Sequence, residues 1–314
     1  MTDRALPASM HRRLQGPPPV VGRPRKEVHM PEGKALRLIF ASSAIIAALV
    51  VAASLLGLFA PATYRYETNN WRMQAWGQDV GNVLAAGVLL GSIHRVTKRS
   101  FTGFLVWVGT LFYLLYAYVV YSVAVHFNFL FLVYTTILGL VLYTLIYALA
   151  VSNLPDAAAY PRGRPRTLAG YVLVLTGALF AALWLSEVVP AIVTGTEPKS
   201  LTEAVLVVNP IHAVDLSAVL PAFILTGVLA LKDRRVGLFF LAPWLTFSVL
   251  MGTSIVCAMA IIIARGDETA VPPLIMVTLI VGASLAALWA YLAGLSGSWV
   301  PADARGDGVS ADGG

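Results

Sequence analysis

Between residues 36 and 295 long apolar runs alternate with short polar stretches. The runs lie near 36–60, 79–94, 101–125, 129–152, 167–189, 210–231, 236–264 and 271–295. Within them no polar face recurs at the spacing that a helix or strand of a water-soluble domain would show. A helix of about twenty residues rises about 30 Å, the thickness of the hydrocarbon core of a bilayer. The pattern therefore predicts an all-α fold, a polytopic transmembrane helical bundle of about eight spans. The second run is the shortest. At roughly 24 Å for 79–94 it crosses only if Arg95, Lys98 and Arg99 snorkel at its end.

Composition supports the same solvent. Hydrophobic residues make up 58% of the 314-residue chain, charged ones only 12%, and the mean hydropathy is +0.77, against a charged fraction near a quarter in ordinary soluble domains. The net charge of +6 would suit a nucleic-acid partner if it were clustered, but the basic residues fall in alternate loops, which is a topology signal. With the N-terminus inside, 18 of the 22 Lys and Arg residues lie on the inner side, and Arg65, Arg72, Lys199 and Arg265 on the outer. Both termini are thus expected in the cytoplasm, with no nucleic-acid partner. Residues 1–33, rich in Pro, Gly and basic side chains, read as a disordered cytoplasmic tail, and 296–314, small and Gly-rich, as another, leaving 34–295 as the membrane domain. The Arg-Gly-Asp triplets at 265–267 and 305–307 read as chance.

In lipid the informative residues are the ionisable ones inside spans, since each costs about 2.5–3.5 kcal/mol at mid-bilayer on insertion scales. Asp79 opens the second run, with Gln78 before it and Asn82 after it. His126 and Asn128 lie between the third and fourth runs, and Glu187 late in the fifth. Asn209-Pro210-Ile211-His212-Ala213-Val214-Asp215 reads as the start of the sixth span, because Asn is a good N-cap and Pro suits the first helical position. His212 and Asp215, three apart, share a helix face, and Pro221 marks a kink. All these residues map to the outer half of the membrane.

Two readings of them stand side by side. In one they cap helices and complement dipoles. In the other Asp79, Glu187, His212 and Asp215, with Gln78, Asn128 and Asn209, line one outward-facing polar cavity. His126, His212 and carboxylates could in principle supply nitrogen and oxygen ligands to zinc, but no HxxxH or HExxH spacing occurs and no metal is assigned. Tyr64, Tyr66, Trp71 and Trp76 fall in the first outer loop, where aromatic rings suit an interface. Cys257, the single cysteine, reads as a small core residue.

The segments WGQD (Trp76 to Asp79), LWLSEVVPA (Leu183 to Ala191) and NPIHAVDLSAVLPA (Asn209 to Ala222), with the tyrosine-rich third span, resemble a family of uncharacterised bacterial polytopic integral membrane proteins. The resemblance covers roughly 36–295. It implies a multi-pass protein of the bacterial cytoplasmic membrane and names no reaction or cofactor. Three function classes are consistent with the residues. The first is transport or handling of an ion or small solute, with the carboxylates as cation or proton sites. The second is a membrane-embedded enzyme acting on a lipid or lipid-linked substrate, with His212 or Glu187 as base and Asp215 orienting the imidazole. The third is an accessory or assembly subunit whose polar groups only pack helices.

Overall fold

The computed structural model describes residues 30–295, so the bulk of both tails lies outside the described residues. Among the described residues there is no strand, and eight helices are long and apolar enough to cross a membrane. In chain order the helices are α1 (Gly33–Phe59), α2 (Asn69–Thr97), α3 (Phe101–Ala124), α4 (Phe131–Ala150), α5 (Arg164–Thr194), the short α6 (Lys199–Ala204), α7 (Pro210–Leu231), α8 (Arg235–Ala264) and α9 (Val271–Ala293). Met30, placed by its composition in the N-terminal tail, is buried against the core because it is an apolar side chain next to the helix start.

The second span differs from its expected form. It begins at Asn69, not near residue 79, and its 29 residues rise about 43 Å, so it needs no snorkelling to cross. The polar residues of its first turns break the apolar run without breaking the helix, because they find partners on the helix itself. Thr68 accepts from the Trp71 backbone N–H as N-cap, Gln74 Nε2 donates to Asn70 Oδ1 at 2.8 Å, and Arg72 bonds Asn69. The Arg72 and Arg265 guanidiniums both lie over the Trp76 ring, at 5.6 and 5.3 Å.

Helix α8 runs through the middle of the bundle, packed on α2, α3, α7 and α9, while α1 packs on α2 and α4 and α5 packs on α7 and α9. The α2–α8 crossing is set by Gly77 and Gly81, four residues apart on one face. A Cβ at Gly77 would lie 2.3 Å from the Ala258 backbone, and one at Gly81 would lie 1.8 Å from Ser254 Oγ. In lipid, where burial of apolar surface drives no association, such small residues let two backbones approach and gain dispersion contacts. The two halves of the bundle are packed to different degrees. In its most apolar stretch α3 is 67% buried, whereas α5 is 17% and α9 22% buried, so the latter two present most of their surface to lipid.

Proline accounts for the irregularity of α7. Pro221 lacks an N–H, and its ring would crowd the carbonyl four residues back. The preceding turn, Asp215–Val219, widens into a π-turn in which the Leu220 N–H donates to the Asp215 carbonyl. Such single wide turns recur at functional sites.

Candidate functional site

Two polar centres stand near the end of the bundle that carries the α1–α2 and α3–α4 loops. The first surrounds Asp79, which is 1% exposed. Because α2 starts at Asn69, Asp79 is ten residues into the helix and cannot be its cap. Its oxygens are held by tyrosines instead. Tyr64 donates to Oδ2 at 2.7 Å and Tyr121 to Oδ1 at 2.8 Å. Tyr64, expected at the interface, is buried, and burial with the carboxylate beside it pushes its hydroxyl well above the usual range, so it serves Asp79 as a neutral donor. Gly57 of α1 makes the fit possible, since a Cβ there would lie 2.0 Å from Asp79 Oδ2. One turn further along α2, the Tyr113 hydroxyl joins Gln78 Nε2 (2.7 Å), Asn82 Oδ1 (3.0 Å) and Ser254 Oγ (2.7 Å), tying α2, α3 and α8 together.

The second centre joins α5 and α7. Asn209 caps α7 as its sequence predicts, its side chain accepting from the Ile211 and His212 N–H groups at 3.0 and 3.3 Å. Trp184 Nε1 donates to Asp215 Oδ2 at 2.8 Å, and the Trp184 ring lies against the His212 imidazole, tilted by 40° with 4.6 Å between centroids. The carboxylate that faces His212 is Glu187, with 3.7 Å between Nε2 and Oε2, and not Asp215, so the imidazole is not oriented by Asp215. Spacing along one helix could not reveal this, because the competing partner comes from another helix. Glu187 also accepts the Ser200 N–H at 2.9 Å, and Asn209 Nδ2 donates to Ser200 Oγ at 3.3 Å, which fastens α6 to both spans.

Asn128 belongs to neither centre. It donates to the Thr63 carbonyl and accepts from the Leu130 N–H, both at the junction of two loops. Beside it lies a residue that sequence reasoning passed over. Glu67, whose side chain is fully buried, accepts from the His126 backbone N–H at 2.7 Å and faces His126 Nδ1 at 3.0 Å. The two contacts clasp the α1–α2 loop to the α3–α4 loop. A lone Glu in a polar loop carries no signal for this, whereas the Gly77/Gly81 pair could have been found from its spacing.

Between the centres lies a cavity of about 440 Å³, walled by α2 and α3 on one side, α5, α7 and α9 on the other, and α8 behind. Asp215 and Gln78 line it; Asp79, Glu187, His212, Asn128 and Asn209 do not. Its walls are chiefly aromatic and aliphatic, with Trp71, Tyr116, Tyr121, Phe180, Trp184 and Phe223 among the rings. Tyr121 links the two regions, because it lines the cavity and also donates to Asp79. A second, more open recess of about 570 Å³ lies further along α2 and α9, between residues 88–95 of the former and 289–293 of the latter. Among the described residues no group of three His, Cys, Asp or Glu side chains is placed to hold a metal ion.

The geometry supplies an apolar chamber with one carboxylate and two Gln amides, Gln74 and Gln78, on its wall. The imidazole and the second carboxylate sit behind Trp184, engaged with each other and with the start of α6. Comparison with models of known protein families, with curated protein sequences and with solved structures finds no match to this chain.

Proposed function

We propose that this protein handles or transports a small solute across a bacterial cytoplasmic membrane, with both termini inside and the 440 Å³ cavity as its outward-facing solute site. The observation that carries the reading is the arrangement of recesses along one seam. Both cavities are walled by α2 and α9, one by residues 71–78 and 273–280, the other by residues 88–95 and 289–293, toward opposite ends of the same helices. Only the middle turns of these helices separate them. The movable wall is the loosely buried side, α5 and α9 with α7, whose π-turn and Pro221 supply a ready hinge, while α3 and the α2–α8 crossing are the fixed side. A lipid-modifying enzyme fits less well. Its candidate base, His212 or Glu187, would have to reach substrate, and neither lines the cavity.

Thiol accessibility tests the proposal without knowledge of the solute. In a Cys257→Ser background, Met251→Cys and Ile255→Cys each place one thiol on the α8 wall of the cavity. A transporter visits states open to either side. A membrane-impermeant maleimide should therefore label both positions in right-side-out and in inverted vesicles. Labelling from one side only would overturn transport and leave a one-sided binding protein.

A further inference from the structure

The cavity wall has an imbalance of charge that selects its occupant. Asp215 is its single ionisable carboxylate, and among the described residues lining it there is no Lys, Arg or His. The partners that Asp215 has, Trp184 Nε1–H and the Tyr116 hydroxyl, are both neutral donors, and His212 is turned to Glu187. A carboxylate at the edge of an apolar chamber gains most from a cation brought by the ligand, because desolvation leaves its charge poorly compensated by neutral donors alone. The rest of the wall points the same way. The faces of aromatic rings carry negative electrostatic potential and attract cations, Trp most strongly, and Trp71, Trp184, Tyr116 and Phe180 surround the same space.

Inorganic ions are poorly served here. A hard cation needs about six oxygen ligands, and a wall dominated by rings and aliphatic chains does not supply them. An anion would meet a carboxylate and ring faces of its own sign. A volume of about 440 Å³ lies within the range of drug-sized ligand sites, far larger than a single ion needs.

We infer that the cavity takes a lipophilic organic cation, a quaternary ammonium, phosphonium or protonated amine carried on apolar groups, with Asp215 as its counter-ion and the tryptophan and tyrosine rings as its cage. The inference rests on the reading of this cavity as the solute site.

The test is equilibrium binding of tetraphenylphosphonium and of tetraphenylborate, ions of the same shape and opposite charge, to the purified full-length protein in detergent. The phosphonium should bind saturably and at least tenfold more tightly than the borate. Asp215→Asn, which keeps an acceptor for Trp184, should weaken phosphonium binding tenfold or more. If that variant does not fold, the comparison of the two ions on the unaltered protein decides alone. Equal binding of both ions, binding of neither, or unchanged affinity in a folded Asp215→Asn would overturn the inference. The cysteine labelling needs no ligand, so the two readings fail separately. Two-sided labelling without phosphonium binding removes the cation and leaves transport, whereas one-sided labelling with binding does the reverse.

Discussion

Asp79 and Asp215 are both buried carboxylates in the membrane domain, and they are held in different ways. Asp79 is enclosed: each oxygen accepts a tyrosine hydroxyl, and Gly57 closes the space above it. Asp215 accepts from Trp184 and from the Tyr116 hydroxyl, and it and both donors line a 440 Å³ chamber. The helices around them differ in the same sense. Asp79 sits among α1, α2 and α3, and α3 is the most buried span; Asp215 sits on α7 against α5, the least buried one. A polar group whose hydrogen bonds are all made inside the protein stabilises one arrangement of helices. One that lines a cavity together with its donors is open to a ligand as well. The difference marks Asp79 as a residue of the architecture and sets Asp215 apart as the residue of the proposed binding site.

The largest expected effect breaks the closed side directly. Gly57→Ala forces a methyl group to within 2.0 Å of Asp79 Oδ2 and 2.6 Å of the Tyr64 hydroxyl, and should cost about 3 kcal/mol or more of stability. Gly139 has nothing within 4 Å of its added Cβ, so Gly139→Ala should be neutral or stabilise by up to about 1 kcal/mol through helix propensity. Thermal unfolding in detergent compares the two. Equal melting temperatures would mean that the Asp79 centre has slack and that the contrast with Asp215 is lost.

Next come the two carboxylates themselves. Asp79→Asn leaves one oxygen for two tyrosine donors and should lose about 1–3 kcal/mol, the cost of a buried unsatisfied group. Asp215→Asn also leaves one oxygen for two donors, Trp184 and Tyr116, but these stand on the wall of a cavity that water can enter, so it should lose only about 1 kcal/mol, its main effect falling on ligand affinity. A melting temperature lowered equally in both variants would make Asp215 a second architectural residue.

The loop clasp should matter less than either centre. Glu67→Gln keeps a side-chain acceptor for the His126 N–H and removes the charge facing a ring that is 44% exposed, so a loss of about 1 kcal/mol is expected after allowance for solvent screening. Hydrogen exchange of the α1–α2 and α3–α4 loops should rise together in this variant. Exchange rising in one loop alone would mean that the contact does not couple them. Smallest is Glu187→Gln. The contact with the His212 imidazole is 3.7 Å long and the Glu187 side chain is 30% exposed, so stability should fall by less than about 0.5 kcal/mol. Phosphonium affinity should stay within twofold of the unaltered protein. A tenfold loss would extend the binding site behind Trp184.

The candidate residues were legible to unequal degrees. Asn209 at the start of α7 follows from local chemistry, since a cap and a first-turn proline act within four residues. The position of Asp79 does not. Its local sequence reads as the opening of a short span, because Asn70, Arg72, Gln74 and Gln78 dilute the hydropathy of α2, whereas their hydrogen bonds, which a hydropathy average ignores, let the helix run on. The depth shared by Asp79, Glu187, His212 and Asp215 suggested a single cluster. Depth is one coordinate, and the rotation of each helix about its axis decides which neighbour a side chain meets.

By itself the sequence determined the solvent, the all-helical class and the eight spans, because each follows from the free energy of placing twenty consecutive residues in hydrocarbon, a quantity that needs no partner. The start of α7, with its cap at Asn209 and its first-turn proline, was determined in the same local way. The tertiary structure alone decided that Tyr64 and Tyr121 hold Asp79, that Trp184 separates Asp215 from His212 while Glu187 takes the imidazole, and that a cavity remains between the two sides of the bundle. These outcomes depend on side chains separated by 15 to 42 residues meeting across helices. Their meeting is set by close approaches such as Gly77 and Gly81 on Ala258 and Ser254, where a single methyl group would move one helix against another.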